Sequence, residues 1–114
     1  MALMIQSGRD LIRINQGNNR IEYSSDNGRN WHTRHMGPSA GIFYDLCYYG
    51  SEILACTSKG VYYSKDDGRN WHSRYIGNSA GTFQQIMNNG TELIAMTSKG
   101  QYYSKDQGRN WHRR

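Results

Sequence analysis

The chain has 114 residues, 36% of them apolar, with thirteen Gly, nine Tyr, three Trp and a single Pro. That length suits one domain, and the aromatic content sets it apart from disordered chains, which cannot bury enough surface to offset their entropy. The formal net charge is +5, but Lys and Arg recur at fixed places instead of forming a block. This reads as a solvated surface, with nucleic acid as the weaker alternative partner.

Residues 1–14, MALMIQSGRDLIRI, are interrupted by Gln6, Arg9 and Asp10. They offer neither the apolar run of a signal peptide nor a membrane span, so the expectation is a cytoplasmic protein without membrane contact. A Met-Ala start is also what an engineered chain often carries. The first unit then reads as short strands joined at Gly8-Arg9 and by a longer connection at residues 16–20. The second unit is cleaner, with runs rich in aromatic and β-branched residues at 42–49, 52–57, 61–64 and 71–75, the first two divided by Gly50-Ser51. The third repeats the plan at 82–88, 92–97, 101–104 and from Trp111 onward, with Asn89-Gly90 predicting a two-residue hairpin turn. Gly, Asn and Ser interrupt the chain too often for a helical period to survive.

Trp31, Trp71 and Trp111 are spaced by 40 residues and sit in nearly identical stretches: YSSDNGRNWHTR at 23–34, YSKDDGRNWHSR at 63–74 and YSKDQGRNWHRR at 103–114. Four short strands per 40-residue unit predict an all-β propeller of three four-stranded antiparallel blades, at residues 1–36, 41–76 and 81–114. Recent amplification and engineering would both produce such near copies, and either leaves open a propeller with no evolved ligand.

Cys47 and Cys56 correspond to Met87 and Met96 in the third unit, which marks them as apolar packing positions. With a turn at Tyr49-Gly50, Cys47 faces Glu52 and Cys56 faces Phe43, too far apart for a bridge. Two buried free thiols suit a reducing compartment.

The pattern Ser-x-Asp-x-Gly-x-x-Trp occurs as Ser24/Asp26/Gly28/Trp31, Ser64/Asp66/Gly68/Trp71 and Ser104/Asp106/Gly108/Trp111. With the flanking Thr-Ser-Lys-Gly and Tyr-Tyr-Ser segments, it resembles the Asp-box of the bacterial neuraminidase repeat. The resemblance implies a propeller in which the box is the hairpin between the third and fourth strands of each blade, and it implies six blades. The residues themselves support a structural role: the carboxylate accepts loop amides, Gly takes a positive φ, the Ser hydroxyl bonds locally and Trp covers the loop. His32, His72 and His112 fall one per unit and are therefore scattered around a ring, which argues against a metal site. Arg29, Arg69 and Arg109 would mark one rim in register as a basic band.

A propeller closes with roughly four to eight blades, so three leave two faces uncovered. The expectation is that those faces present apolar and aromatic positions and that a homodimer closes a six-bladed ring. For function, the residues point to a non-enzymatic binding or scaffold module without cofactor, lectin-like or protein-binding. Its candidate ligand groups are Lys59, Asn78, Ser79 and Lys99 on the loops between blades and between second and third strands, with Tyr44 and Gln84 near the inner-strand entrance lining a central site. The alternative of a sialidase-like glycosidase needs paired carboxylates and an arginine cluster. The charged residues outside the repeat, Asp10, His35 and Asp45, form no such set.

Overall fold

The computed structural model describes residues 4–8, 10–36, 39–77 and 79–114. Twelve strands lie among them: β1 (Met4–Ser7), β2 (Asp10–Asn15), β3 (Arg20–Ser24), β4 (His32–Met36), β5 (Phe43–Tyr49), β6 (Glu52–Thr57), β7 (Gly60–Ser64), β8 (His72–Tyr75), β9 (Phe83–Asn88), β10 (Leu93–Thr97), β11 (Gly100–Ser104) and β12 (His112–Arg113). They form three four-stranded sheets, each built from strands consecutive in the chain and paired antiparallel. Each sheet is one blade. Pro is absent from the strands, and their Val, Ile, Tyr and Phe suit a pleated surface buried on at least one side.

The core lies between the sheets. Ile12, Ile14 and Ile21 of the first blade pack against Phe43, Leu46, Ile53, Ala55, Tyr62 and Trp71 of the second. Leu54, Cys56 and Val61, on the second blade's other face, pack against Phe83, Ile86, Leu93, Ala95, Tyr102 and Trp111 of the third. Alternation along each strand sends successive side chains to opposite junctions. The middle blade is therefore covered on both faces, and every residue of β6 is buried.

Two turns bear on the sequence expectations. Tyr49 pairs with Glu52, so Gly50-Ser51 forms the turn, as the division of the strands expects and in place of the Tyr49-Gly50 turn used for the thiols; Cys47 therefore lies opposite Leu54 and not Glu52, and Cys56 opposite Asp45 and not Phe43. Gly50 supplies the positive φ, 64°, that the turn requires. Both thiols are free and buried. In the third blade the last ladder pair is Asn88 with Leu93, so the connection is a four-residue loop and not a two-residue Asn89-Gly90 turn. The loop is closed locally: the Asn89 amide donates to the Glu92 carbonyl, and the Gly90 amide donates to the Asn88 side chain. The first-unit connection at Gly8-Arg9 includes Arg9, which is outside the described residues.

The two faces left uncovered within the chain also differ from expectation. In register, Arg13 takes the place of Ala55 and Ala95, and Glu22 takes that of Tyr62 and Tyr102. Arg13 and Glu22 form an ion pair at 2.8 Å, Asn15 adds a hydrogen bond to Glu22, and the Arg13 guanidinium lies 4.0 Å from the centre of the Trp31 ring. The first blade's far face is thus largely polar, as terminal repeats tend to be. The third blade's far face mixes Met87, Ile94 and Met96 with Gln101, which stands where the other blades have Ile21 and Val61.

Candidate functional site

The innermost strands of the second and third blades, β5 and β9, each begin with an irregularity. Phe43 pairs with Thr57 and Asp45 with Cys56, leaving Tyr44 as the extra residue. Phe83 pairs with Thr97 and Gln85 with Met96, leaving Gln84 extra. A bulge frees its residue from the ladder and re-aims the side chain. Tyr44 and Gln84 are brought to one pocket of about 320 Å³, together with Gln16 and Thr82. The lining groups are a phenol, two carboxamides and a hydroxyl, without charge.

The other sequence candidates lie apart from that pair. Lys59 lines a neighbouring cleft of about 410 Å³ with Ser58, Ile76, Thr82 and Phe83, between blades two and three. Its ammonium donates to the Ser39 carbonyl, and Lys99 does the same to Ser79. Both lysines therefore tie a blade-to-blade loop to the rim. The Ser79 hydroxyl shares a hydrogen bond with Tyr75. Asn78 is outside the described residues. Thr82 borders both cavities, so the pocket and the cleft adjoin on one rim.

The box hairpins are closed units. In the first, the Ser24 hydroxyl donates to Asp26 Oδ1 at 2.7 Å and accepts from the Gly28 amide at 2.8 Å. Asn30 donates to Asp26 through both its backbone and its side chain. The same bonds recur around Asp66 and Asp106. The Asn30 amide, with Ser24 and the Asn30 side chain, holds Asp26 at about 2. Burial pushes Asp66 and Asp106 up, but the Asn70 and Asn110 donors and the serine hydroxyls outweigh it and bring both to about 2. Trp71 and Trp111 each cap their loop by donating to the carbonyl of the box glycine. These residues are occupied in holding the turn.

Sequence reasoning missed a second repeated device. Arg34 and Arg74 are the bulged residues of β4 and β8. Each pairs with the acid that opens its blade's second strand, Asp10 or Glu52, and lies over Tyr23 or Tyr63. Each also donates to a carbonyl in the next blade's box, Asp67 at 3.2 Å and Gln107 at 3.1 Å. Arg114 pairs with Glu92 in the same way. The arginines at 34, 74 and 114 and the acids at 52 and 92, all at the repeat's spacing, were the available signal, with Asp10 two residues out of phase.

His32, His72 and His112 pack one per blade, tilted, against Tyr23, Tyr63 and Tyr103, with ring centres 5.5 Å apart. Among the described residues no group of three or more His, Cys, Asp or Glu is placed to hold a metal ion. The rim arginines each donate to their own loop, Arg29 to the Asp26 carbonyl, Arg69 to Asp66 and Arg109 to Asp106. Burial pushes the Cys47 thiol up to about 12 and raises Cys56 as well, which keeps both thiols protonated and inert.

Three antiparallel four-stranded sheets in chain order, cored between their faces and each closed by the same hairpin, define a segment of β-propeller. The DUF6242 β-propeller domain model matches residues 4–114, and the chain belongs to that family. No curated protein matches the chain in sequence. Among solved structures it is similar to YCF48 bound to D1 peptide, with 18% identity and a TM-score of 0.72 over 97% of this chain and 40% of that one. It is also similar to YCF48 from Cyanidioschyzon merolae, with 18% identity and a TM-score of 0.73 over 96% of this chain and 35% of that one. The chain thus spans two-fifths or less of these structures, and at such identity the likeness is one of fold.

Proposed function

We propose that the chain is a non-enzymatic binding module that holds a neutral, hydrogen-bonding ligand at one rim, and that two copies complete a six-bladed ring. The observation that carries the binding reading is the pair of bulged residues, Tyr44 and Gln84, aimed from adjacent blades into one uncharged pocket. An aromatic ring beside carboxamides and a hydroxyl suits a sugar, so the module is lectin-like. A short protein segment is the second reading. It is favoured by the adjoining cleft, where exposed Ile76 offers apolar contact, and by the peptide held in one of the similar propellers.

The charges that could have assembled a hydrolytic set favour binding over glycoside hydrolysis, because they are separately engaged. Asp10 is bonded by Arg34, His35 packs on Phe43, and buried Asp45 accepts from the Leu46 and Ile86 amides. The box hairpins are of the Asp-box kind and serve the fold. A glycan array probed with the chain and with Tyr44→Ala tests the site. Specific sugars lost in the variant support it, and an array without hits overturns the sugar reading in favour of a peptide screen.

Ring closure is supported by the two uncovered faces, which carry the strand positions that form blade junctions inside the chain. Sedimentation equilibrium over a dilution series tests it. A dimer is expected, with stability rising with concentration, and a folded monomer at every concentration overturns the ring.

A further inference from the structure

At three junction positions one blade carries a charged or amide side chain where both others carry an apolar or aromatic one. Position 101 is Gln where the other blades have Ile21 and Val61, and positions 13 and 22 are Arg and Glu where the other blades have Ala and Tyr. Gln101 lies on the third blade's far face, whereas Arg13 and Glu22 lie on the first blade's far face. These are the two faces that no junction inside the chain covers.

The internal junctions show what these positions meet. Ile21 Cγ2 lies 3.3 Å from where a Cβ on Gly68 would stand, and Val61 Cγ1 lies 3.6 Å from the corresponding point on Gly108. Repeating that geometry brings Gln101 to Gly28, beside Trp31 and Leu11. Over Trp31 lies the Arg13 guanidinium, paired with Glu22. An apolar side chain at 101 would bury against that ion pair and leave its remaining hydrogen-bonding capacity unmet, whereas a carboxamide both donates and accepts.

The arginine ladder ends at the same place. Arg34 and Arg74 reach the next blade's box carbonyl and are 5% and 4% exposed, while Arg114 is 42% exposed. The equivalent carbonyl, counting in register from Asp67 and Gln107, is that of Asn27.

We infer that a second copy of this chain seats its first blade on the third blade of the other. Gln101 of each then bonds to the Arg13–Glu22 pair of its partner, and Arg114 reaches the partner's Asn27 carbonyl. This rests on the ring reading and adds its specificity. The polar triad makes the third-to-first junction better satisfied than third-to-third or first-to-first contacts, which would pair amide with Met or ion pair with ion pair. The contact is head to tail and closes after two copies.

Sedimentation velocity on the full chain tests it with Gln101→Glu, Glu22→Gln and the double variant, circular dichroism confirming the fold of each. Gln101→Glu places a second carboxylate against Glu22 and should weaken dimerisation about tenfold or more. The double variant, leaving one carboxylate for Arg13, should recover to within about threefold of the original. Within one chain positions 22 and 101 are on opposite outer faces, so such recovery requires an intermolecular contact. Arg114→Ala, at a half-exposed position that should tolerate the change, must also weaken the dimer. A dimer whose affinity is indifferent to these variants, or in which the effects simply add, overturns the junction and leaves the ring intact. A parent chain that stays monomeric overturns both.

Discussion

Blades two and three are near copies in sequence, yet the second is covered on both faces and the third on one. Cys47 is 7% exposed and its counterpart Met87 is 46% exposed. Val61 is fully buried, and Gln101 is in solvent. The difference lies in the neighbours, because the second blade has a sheet on either face and the third has one. A blade in such a fold has little core of its own, and its stability is mostly an interface term. The same residue can therefore be structural in one blade and an available contact in the next.

The arginines put the largest number on that comparison. Arg74→Ala removes the partner of buried Glu52, the contact to Tyr63 and the bond to Gln107, and breaking a buried pair in this way should cost about 4 kcal/mol. Arg114→Ala removes a pair whose arginine is 42% exposed, so water can reach the Glu92 carboxylate in its place, and should cost much less in dilute solution. Urea unfolding of both variants at low and high protein concentration checks this. Equal losses at low concentration would break the comparison, and a growing loss for Arg114→Ala at high concentration would sharpen it.

Glycine gives the second test. Gly60 has φ 138°, and a Cβ there would collide with the Tyr75 carbonyl oxygen, in the backbone of the paired strand. Gly60→Ala must strain the second strand-to-strand connection and should cost about 3 kcal/mol. At Gly100, φ 121°, the nearest atoms are 3.6 Å away at the end of the flexible Arg113 side chain. Gly100→Ala should lose about 1 kcal/mol, from backbone strain alone. Thermal melts of the pair give the difference directly.

The repeat, the four-strand plan, the hairpin chemistry and the free thiols were legible because each depends on residues close in sequence. Register was less so. The position of the Cys47–Cys56 turn depends on one residue's choice of φ at Gly50, and the loop at 89–92 depends on Asn88 folding back onto Gly90, which competes with the tighter Asn-Gly turn. Tyr44 and Gln84 were found as candidates, but the bulges that bring them together are set by pairing with Thr57 and Thr97 and leave no local mark. The polar far face of the first blade was visible as Arg13 and Glu22, but only the ladder shows that they replace Ala and Tyr in a junction position.

Acid should act on all three blades alike, in contrast to the arginine and glycine variants. The box aspartates are held near 2 in the folded chain against a usual value of 3.8. A lowered folded value means that the stabilisation is complete above the unfolded value and disappears as pH falls from about 4 towards 2, as the unfolded chain takes up protons the native one does not. Urea midpoints between pH 5 and pH 2 should fall steeply. Asp66→Asn should flatten that slope by removing one of the titrating groups, and an unchanged slope would show that the hairpins do not carry it.

The smallest effect separates the blades within the box itself. The residue before the box glycine has positive φ in every blade: 62° at Asn27, 62° at Asp67 and 64° at Gln107. Asn and Asp tolerate the left-handed region because their short side chains can bond locally, whereas Gln has no such compensation. The third blade alone therefore stores strain at this turn, and Gln107→Asn should relieve it by about 0.5 to 1 kcal/mol. The Gln107 carbonyl is the acceptor for Arg74, and being backbone it survives the change. Its side chain also accepts from Arg109 at 3.2 Å on the exposed rim, a bond whose loss offsets little of the gain. Melting curves of the variant should shift upward. Asn27→Gln and Asp67→Gln should shift them downward by a similar amount, and a third-blade variant with no gain would mean that the Arg109 contact, and not the backbone, sets the residue at that turn.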